Sequence, residues 1–158
     1  MIPNCKKLIA RNICKVTHDV GTLTISNSVD NCLISFTSME ATKGFFWELD
    51  GDYLKSPKGI KYVLVSGRAF FDSAGDRDYL WLQIKYKPTT SSTWSTAGKV
   101  LGGTYGIFKS ISIDPCLTRL DPELDYHWSL FANIPKGANP STLRNGYADN
   151  GLTIEVIE

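Results

Sequence analysis

Residues 152–156, close to the end of the sequence, alternate strictly between apolar and polar side chains, and this period of two limits the fold more than any other feature. Leu152, Ile154 and Val156 fall on one side of an extended chain, and Thr153 and Glu155 on the other. The same period recurs in earlier segments, which are separated by turn-forming Gly, Pro, Asn and Asp residues. No segment has a convincing 3.6-residue period. The sequence therefore predicts an all-β sandwich, jelly roll or barrel.

The 158 residues suffice for one domain that buries its own core without the help of a disulfide or a metal. Residues 1–18 have little periodicity and are predicted to form an N-terminal arm or a first strand. Residues 19–158 are predicted to form the jelly-roll domain. Within it, Asp114-Pro115 is predicted to end a strand that covers residues 106–113.

Two predicted strands carry aromatic residues that are candidates for a subunit interface, because aromatic side chains are enriched where subunits meet. They are Trp81, Tyr126 and Trp128. One face of each strand has to serve the core, and the sequence leaves open which face does so. In the first of these strands one face is largely polar, and its members are Trp81, Gln83, Lys85 and Lys87.

Three further aromatic residues lie in or beside loops rich in Ser, Thr, Asn and Gly, and they are candidates for ligand binding. They are Trp94, Tyr105 and Tyr147. An exposed ring beside amide and hydroxyl groups suits the recognition of a sugar or a peptide. The alternative for each is a single ring that caps one end of the core.

The sequence offers little for catalysis, so we expect a protein that is not an enzyme. His18 and His127 are its two histidines, and the chain has no G-x-S-x-G motif. The four cysteines form no C-x-x-C pair, so we expect no metal and no cofactor. Whether these cysteines are paired or reduced stays open.

The charge and the hydropathy pattern exclude two classes of partner. The net charge is +1 with no basic stripe, so we expect no nucleic acid. No apolar run approaches the roughly 20 residues that span a bilayer, so we expect no membrane insertion. The N-terminus also lacks the apolar core of a signal peptide, which favours a chain that begins in a cytosol or has lost its leader.

Four segments resemble parts of a known family, the C1q/TNF-like trimeric jelly-roll heads of bacteriophage tail or capsid fibres. Residues 58–67 resemble the long strand of that family, and residues 75–84 resemble the loop and strand that follow it. Residues 120–126 resemble the approach to the penultimate strand, and residues 151–158 resemble the closing strand. The similarity covers about residues 44–158.

The resemblance implies a homotrimer with three chains packed around an axis. It also implies a structural role in a virion that is assembled in the host cytoplasm. The partners would be other virion proteins or a glycan or protein of the host surface. The alternative is a monomeric carbohydrate-binding jelly roll, in which the three loop aromatics form a sugar platform.

Overall fold

The structure is a computed structural model, and it describes residues 11–25, 32–73, 78–104, 108–133, 141–143 and 150–158. Thirteen strands and no helix are found in these residues. In chain order, the strands are β1 (Ile13–Thr17), β2 (Leu23–Ile25), β3 (Cys32–Ile34), β4 (Ser38–Ala41), β5 (Glu48–Asp50), β6 (Tyr53–Ser56), β7 (Tyr62–Ser73), β8 (Asp78–Pro88), β9 (Ser95–Thr104), β10 (Phe108–Arg119), β11 (Tyr126–Asn133), β12 (Ser141–Leu143) and β13 (Gly151–Val156).

Sheet A is built around the long strand β7. On one side β7 pairs with β10, and on the other side it pairs with β13 and, beyond the end of β13, with β12. The terminal strand β13 also pairs with β1, which pairs in turn with β4, while β2 pairs with β12. The last strand of the chain is therefore inserted between β1 and β7.

Sheet B is built around β11. On one side β11 pairs with β8, which pairs in turn with β9. On the other side β11 pairs with β6 and with β3, and β5 pairs with β6. All of these pairings are antiparallel, so the two sheets form the predicted jelly-roll sandwich.

The hydrophobic core fills the space between the two sheets. The largest fully buried side chain is Trp128, whose ring stacks on Tyr86 with centroids 5.1 Å apart. Its indole N–H donates a 3.0 Å hydrogen bond to Ser56 Oγ. A buried tryptophan needs such an acceptor, because an unpaired indole N–H inside a protein is costly.

Strand β10 does not end where the sequence predicts. The expectation that Asp114-Pro115 closes a strand is wrong, since β10 continues to Arg119 across a register shift between Ile113 and Cys116. A β-bulge accepts a proline because the extra residue makes no ladder hydrogen bond. In the described part of the chain β10 pairs with β7 alone. The missing N–H of Pro115 therefore removes no hydrogen bond to a strand on the other side of β10.

Cys14, Cys32 and Cys116 are free thiols, and Cys5 lies outside the described residues. Cys14 is fully buried in β1, and desolvation raises its pKa to about 12. The described residues include no helix with the length and apolarity needed to cross a bilayer.

Candidate functional site

The outer face of sheet B carries polar and aromatic side chains, because alternate residues of its strands point away from the core. In β8, Leu82 and Ile84 are fully buried, so their neighbours Trp81 and Lys85 point outward. In β11, Trp128 and Leu130 face the core, so the alternate residues His127, Ser129 and Phe131 lie on the outer side of the sheet. Ser129 and Phe131 are nevertheless only 0% and 9% exposed there.

An aromatic cluster on this face joins two strands, β6 and β11, and one hairpin loop, and it consists of Tyr53, Trp94, His127 and Phe131. Trp94 comes from the hairpin between β8 and β9, and its ring meets Tyr53 at 5.2 Å and Phe131 at 5.7 Å, both edge-on. Tyr53 also meets the His127 ring at 5.4 Å. Such geometries are the favoured ones for aromatic pairs and fix the hairpin on the sheet.

Three lysine ammonium groups lie over aromatic rings on the same face. Lys87 Nζ lies 4.8 Å from the centroid of Trp94, and Lys85 Nζ lies 5.5 Å from that of Phe131. Lys99 Nζ, from β9, lies 4.0 Å from the centroid of Trp81. All three distances fall within the range of a cation–π interaction.

The three lysines belong to β8 and β9, whereas the carboxylates of this face lie nearer β5 and β6. They are Glu48 and Asp50 of β5 and Asp125, which directly precedes β11. Asp50 Oδ2 lies 2.7 Å from His127 Nε2, while His127 Nδ1 is buried and has no partner in the described part of the chain. Lys55 Nζ lies 3.5 Å from Glu48 and 3.9 Å from Asp125.

Asp125 is also tied to the hairpin that carries Trp94. The Thr89 hydroxyl donates a 2.7 Å hydrogen bond to Asp125 Oδ1, and this bond lowers the pKa of Asp125. The ionised carboxylate is thus favoured where the hairpin leaves β8.

The outer face of sheet A carries an apolar patch at the end where the chain terminates. Leu117 of β10 is 64% exposed and stands directly opposite Leu64 of β7. Tyr62 lies two residues from Leu64, so its half-buried ring falls on the same face, and Ile157 beside it is 52% exposed. We call Leu64, Leu117, Tyr62 and Ile157 the sheet A patch. Exposed apolar groups that adjoin one another are typical of interaction surfaces.

An open groove of about 390 Å³ crosses the same face, towards the middle of the sheet. Hydroxyl groups of Ser66, Ser112 and Thr153 line it, together with the charged side chains of Lys15, Arg68 and Asp114. No group of three His, Cys, Asp or Glu side chains suited to a metal ion is found among the residues that the structure describes.

A second exposed apolar feature lies in the loop between β4 and β5. Phe46 is 86% exposed and Phe45 is 42% exposed. Trp47 anchors this loop, since its indole N–H donates a 2.8 Å hydrogen bond to Asn12 Oδ1. The loop borders β4, at the opposite edge of sheet A from β10.

The structure separates the residues that the sequence proposes for binding and assembly. Trp94 lies on the outer face of sheet B, half-buried by its ring neighbours and by Lys87, while Tyr105 and Tyr147 lie outside the described residues. Trp81 also lies on this outer face and is half-buried.

Tyr126 and Trp128 point the other way, into the core, where they are 6% and 0% exposed. This corrects their proposed place in a subunit interface, because neither ring has appreciable surface left to offer a second chain. The sequence leaves open which face of β11 packs in the core, and the structure shows that it is the face of Tyr126 and Trp128.

Sequence reasoning also missed several members of both surfaces. Tyr53 and Phe131 join Trp94 only because β6, β11 and β8 are neighbours, and no local pattern specifies that order. Leu117 was missed because the predicted strand end at Asp114-Pro115 left it outside any strand, whereas β10 continues to Arg119.

Comparison with known proteins gives the class of fold. No protein-family model matches the chain, and no curated protein sequence matches it. A crystal structure of murine APRIL at pH 5.0 is similar with a TM-score of 0.64 and 10% sequence identity, over 93% of this chain and 99% of that one. A structure of Eiger TNF from S. frugiperda is similar with a TM-score of 0.61 and 10% identity, over 94% of each chain. The protein has a TNF-like jelly-roll fold.

Proposed function

We propose that this chain is the trimeric head domain of a viral fibre or decoration protein, of the bacteriophage type, that binds a host-surface ligand or another virion protein. The coarser part of the proposal, a TNF-like jelly roll, is the fold described above. Proteins of this fold commonly assemble as trimers, and the segments that resemble phage fibre heads supply the viral part.

The observation that carries the proposal is the sheet A patch. Leu117 and Leu64 are paired across two strands, and a leucine side chain that leaves water is stabilised by about 1.5–3 kcal/mol. In a closed ring of three, a patch on each chain packs against a different surface of the next chain. The sheet A patch is suited to be one of these two surfaces.

The position of the patch also supports a role in binding. Because the two sheets are the opposite faces of one sandwich, assembly through sheet A leaves the outer face of sheet B on the outside of the particle. The aromatic cluster and the three lysines over aromatic rings would then be presented to a ligand. In this proposal the chain is part of a virion, and its loops and the outer face of sheet B contact the ligand.

A structure of the full chain by crystallography or electron microscopy tests this proposal. The expected result is a three-fold axis, with Leu117 and Leu64 buried against a neighbouring chain over roughly 800 Å² per partner. A particle of one chain, with the sheet A patch in solvent, would contradict the trimeric head. A monomer that binds neutral oligosaccharides would instead support the alternative, a carbohydrate-binding module.

A further inference from the structure

The β8–β9 half of the outer face of sheet B carries three lysines for which the structure shows no carboxylate partner. We call Lys85, Lys87 and Lys99 the lysine strip. The ion pairs in the described residues involve other cations, and the lysine strip makes ring contacts instead.

A ring contact leaves the charge of a lysine in place, whereas a carboxylate partner cancels it. Lys87 lies over Trp94 and Lys99 over Trp81, and neither ring carries a formal charge. The carboxylates of Glu48 and Asp50 belong to the other half of the face, beside Lys55 and His127. Asp125 lies between the two halves, where it is 3.9 Å from Lys55 Nζ and accepts a hydrogen bond from Thr89. Among the residues that the structure describes, none of the three lysines of the strip therefore has a carboxylate as its ion-pair partner.

The strands place these charges in a row. Lys85 and Lys87 are two residues apart on β8, which corresponds to about 7 Å along a strand. Lys99 stands opposite Gln83, two residues further along in the same direction. The row thus extends over about 14 Å, and its members come from two paired strands whose spacing is fixed by backbone hydrogen bonds.

The rings also prepare the lysines for a ligand. A free lysine side chain has about 2 kcal/mol of rotamer entropy, which it loses when it is held in one place. Here the ammonium groups already lie over aromatic rings, so less of that entropy is lost on binding. Beyond Lys87 the hairpin residues 89–93 are all Ser or Thr, and the first of them, Thr89, donates its hydroxyl to Asp125.

We infer that the lysine strip binds a linear acidic glycan, with sulfate or carboxylate groups that meet the three ammonium groups. The inference rests on the proposed function, since it names the chemical class of the host-surface ligand. A glycan is favoured over nucleic acid because the net charge of the whole chain is only +1. Sulfate and carboxylate are both anions that lysine binds as a point charge.

The test compares two triple variants of the full chain that lose the same number of positive charges. The first removes the strip, as K85Q/K87Q/K99Q, and the matched control removes three lysines elsewhere, as K43Q/K58Q/K61Q. Binding of each to immobilised heparin and to polygalacturonate is measured by surface plasmon resonance. The strip variant should bind at least about tenfold more weakly than wild type, and the control should bind like wild type.

Three results would overturn the inference that the lysine strip binds an acidic glycan. Two of them are equal losses of binding in both variants and no binding of wild type to either polysaccharide. Binding of single-stranded DNA as tight as that of heparin would also overturn it, because the strip would then be a general polyanion surface. Light scattering on the same samples separates the proposals: a wild-type trimer without glycan binding overturns only this inference, and a monomer overturns the trimeric head.

Discussion

Leu117 of β10 and Leu64 of β7 stand directly opposite each other on the outer face of sheet A. Cross-strand partners have Cβ atoms about 5 Å apart, so the two side chains form one apolar surface. Their pairing follows from the bulge at Pro115, which resets the register of β10 by the time the strand reaches Cys116. The same bulge thus allows β10 to continue and aligns the two leucines.

A charge placed in the sheet A patch should break the assembly and spare the fold. In Leu117→Asp a carboxylate would have to be buried against the next chain, so the trimer should dissociate, as seen by light scattering. The side chain is 64% exposed in the single chain, so the circular dichroism spectrum should not change.

Val20→Asp is the matched control for this change, because Val20 is 65% exposed and lies in a turn away from the patch. It should leave the mass of the particle unaltered. If both variants kept the mass of wild type, the sheet A patch would not be the interface.

Gly151 begins the inserted strand β13, where a side chain has no room. A Cβ added there would lie 1.8 Å from Val16 O of β1, whereas a Cβ at Gly67 would meet side-chain atoms at 3.2–3.3 Å. Gly151→Ala should lower the free energy of unfolding by more than about 3 kcal/mol, and Gly67→Ala should cost at most about 1–2 kcal/mol. Urea denaturation measures both, and equal losses would contradict the close approach of β1 and β13.

Asp19 ties the end of β1 to the start of β4. The hydroxyl groups of Ser38 and Thr37 donate to its carboxylate and lower its pKa below the ordinary 3.8. Because the folded pKa is the lower one, these bonds stabilise the fold above pH 3.8, and this contribution is lost as the pH falls through the folded pKa.

Ser38→Ala removes the largest of the effects that lower this pKa. The pKa of Asp19, followed by carbon-13 NMR titration of its carboxyl group, should rise towards 3.8 in this variant. The acid-induced loss of stability should then become shallower. A pKa of Asp19 that stayed at the wild-type value would show that the Ser38 bond does not form in solution.

Cys14 should be inert while the protein is folded. Burial raises its pKa to about 12, so almost no thiolate exists near neutral pH. Peptide mapping after treatment with a maleimide at pH 8 should show Cys14 unlabelled in the folded chain and labelled in urea. Equal labelling in both conditions would contradict its place in the core.

The sequence predicted which residues share one face of a strand better than it predicted whether that face points to the core or to solvent. Alternation in residues 79–87 correctly grouped Trp81 with Lys85, because a strand has only two faces. The same alternation in β11 left two equivalent choices for Trp128. Only its contact with Ser56, from a strand 72 residues away in sequence, decides that this face is the core.

Contacts between distant strands explain the rest of what the sequence did not show. The aromatic cluster needs Tyr53 and Trp94 on one face, and these residues meet across strands whose order no local pattern encodes. Likewise, Asp114-Pro115 has the composition of a strand end, and only the pairing of β10 with β7 turns it into a bulge.

Sedimentation equilibrium of the wild-type chain, over a range of micromolar concentrations, measures directly whether the chain forms a trimer. The expected result is one species with three times the 17.5 kDa mass of the chain, about 52 kDa, at every concentration. A single species of 17.5 kDa throughout would contradict it, because the sheet A patch would then remain in solvent.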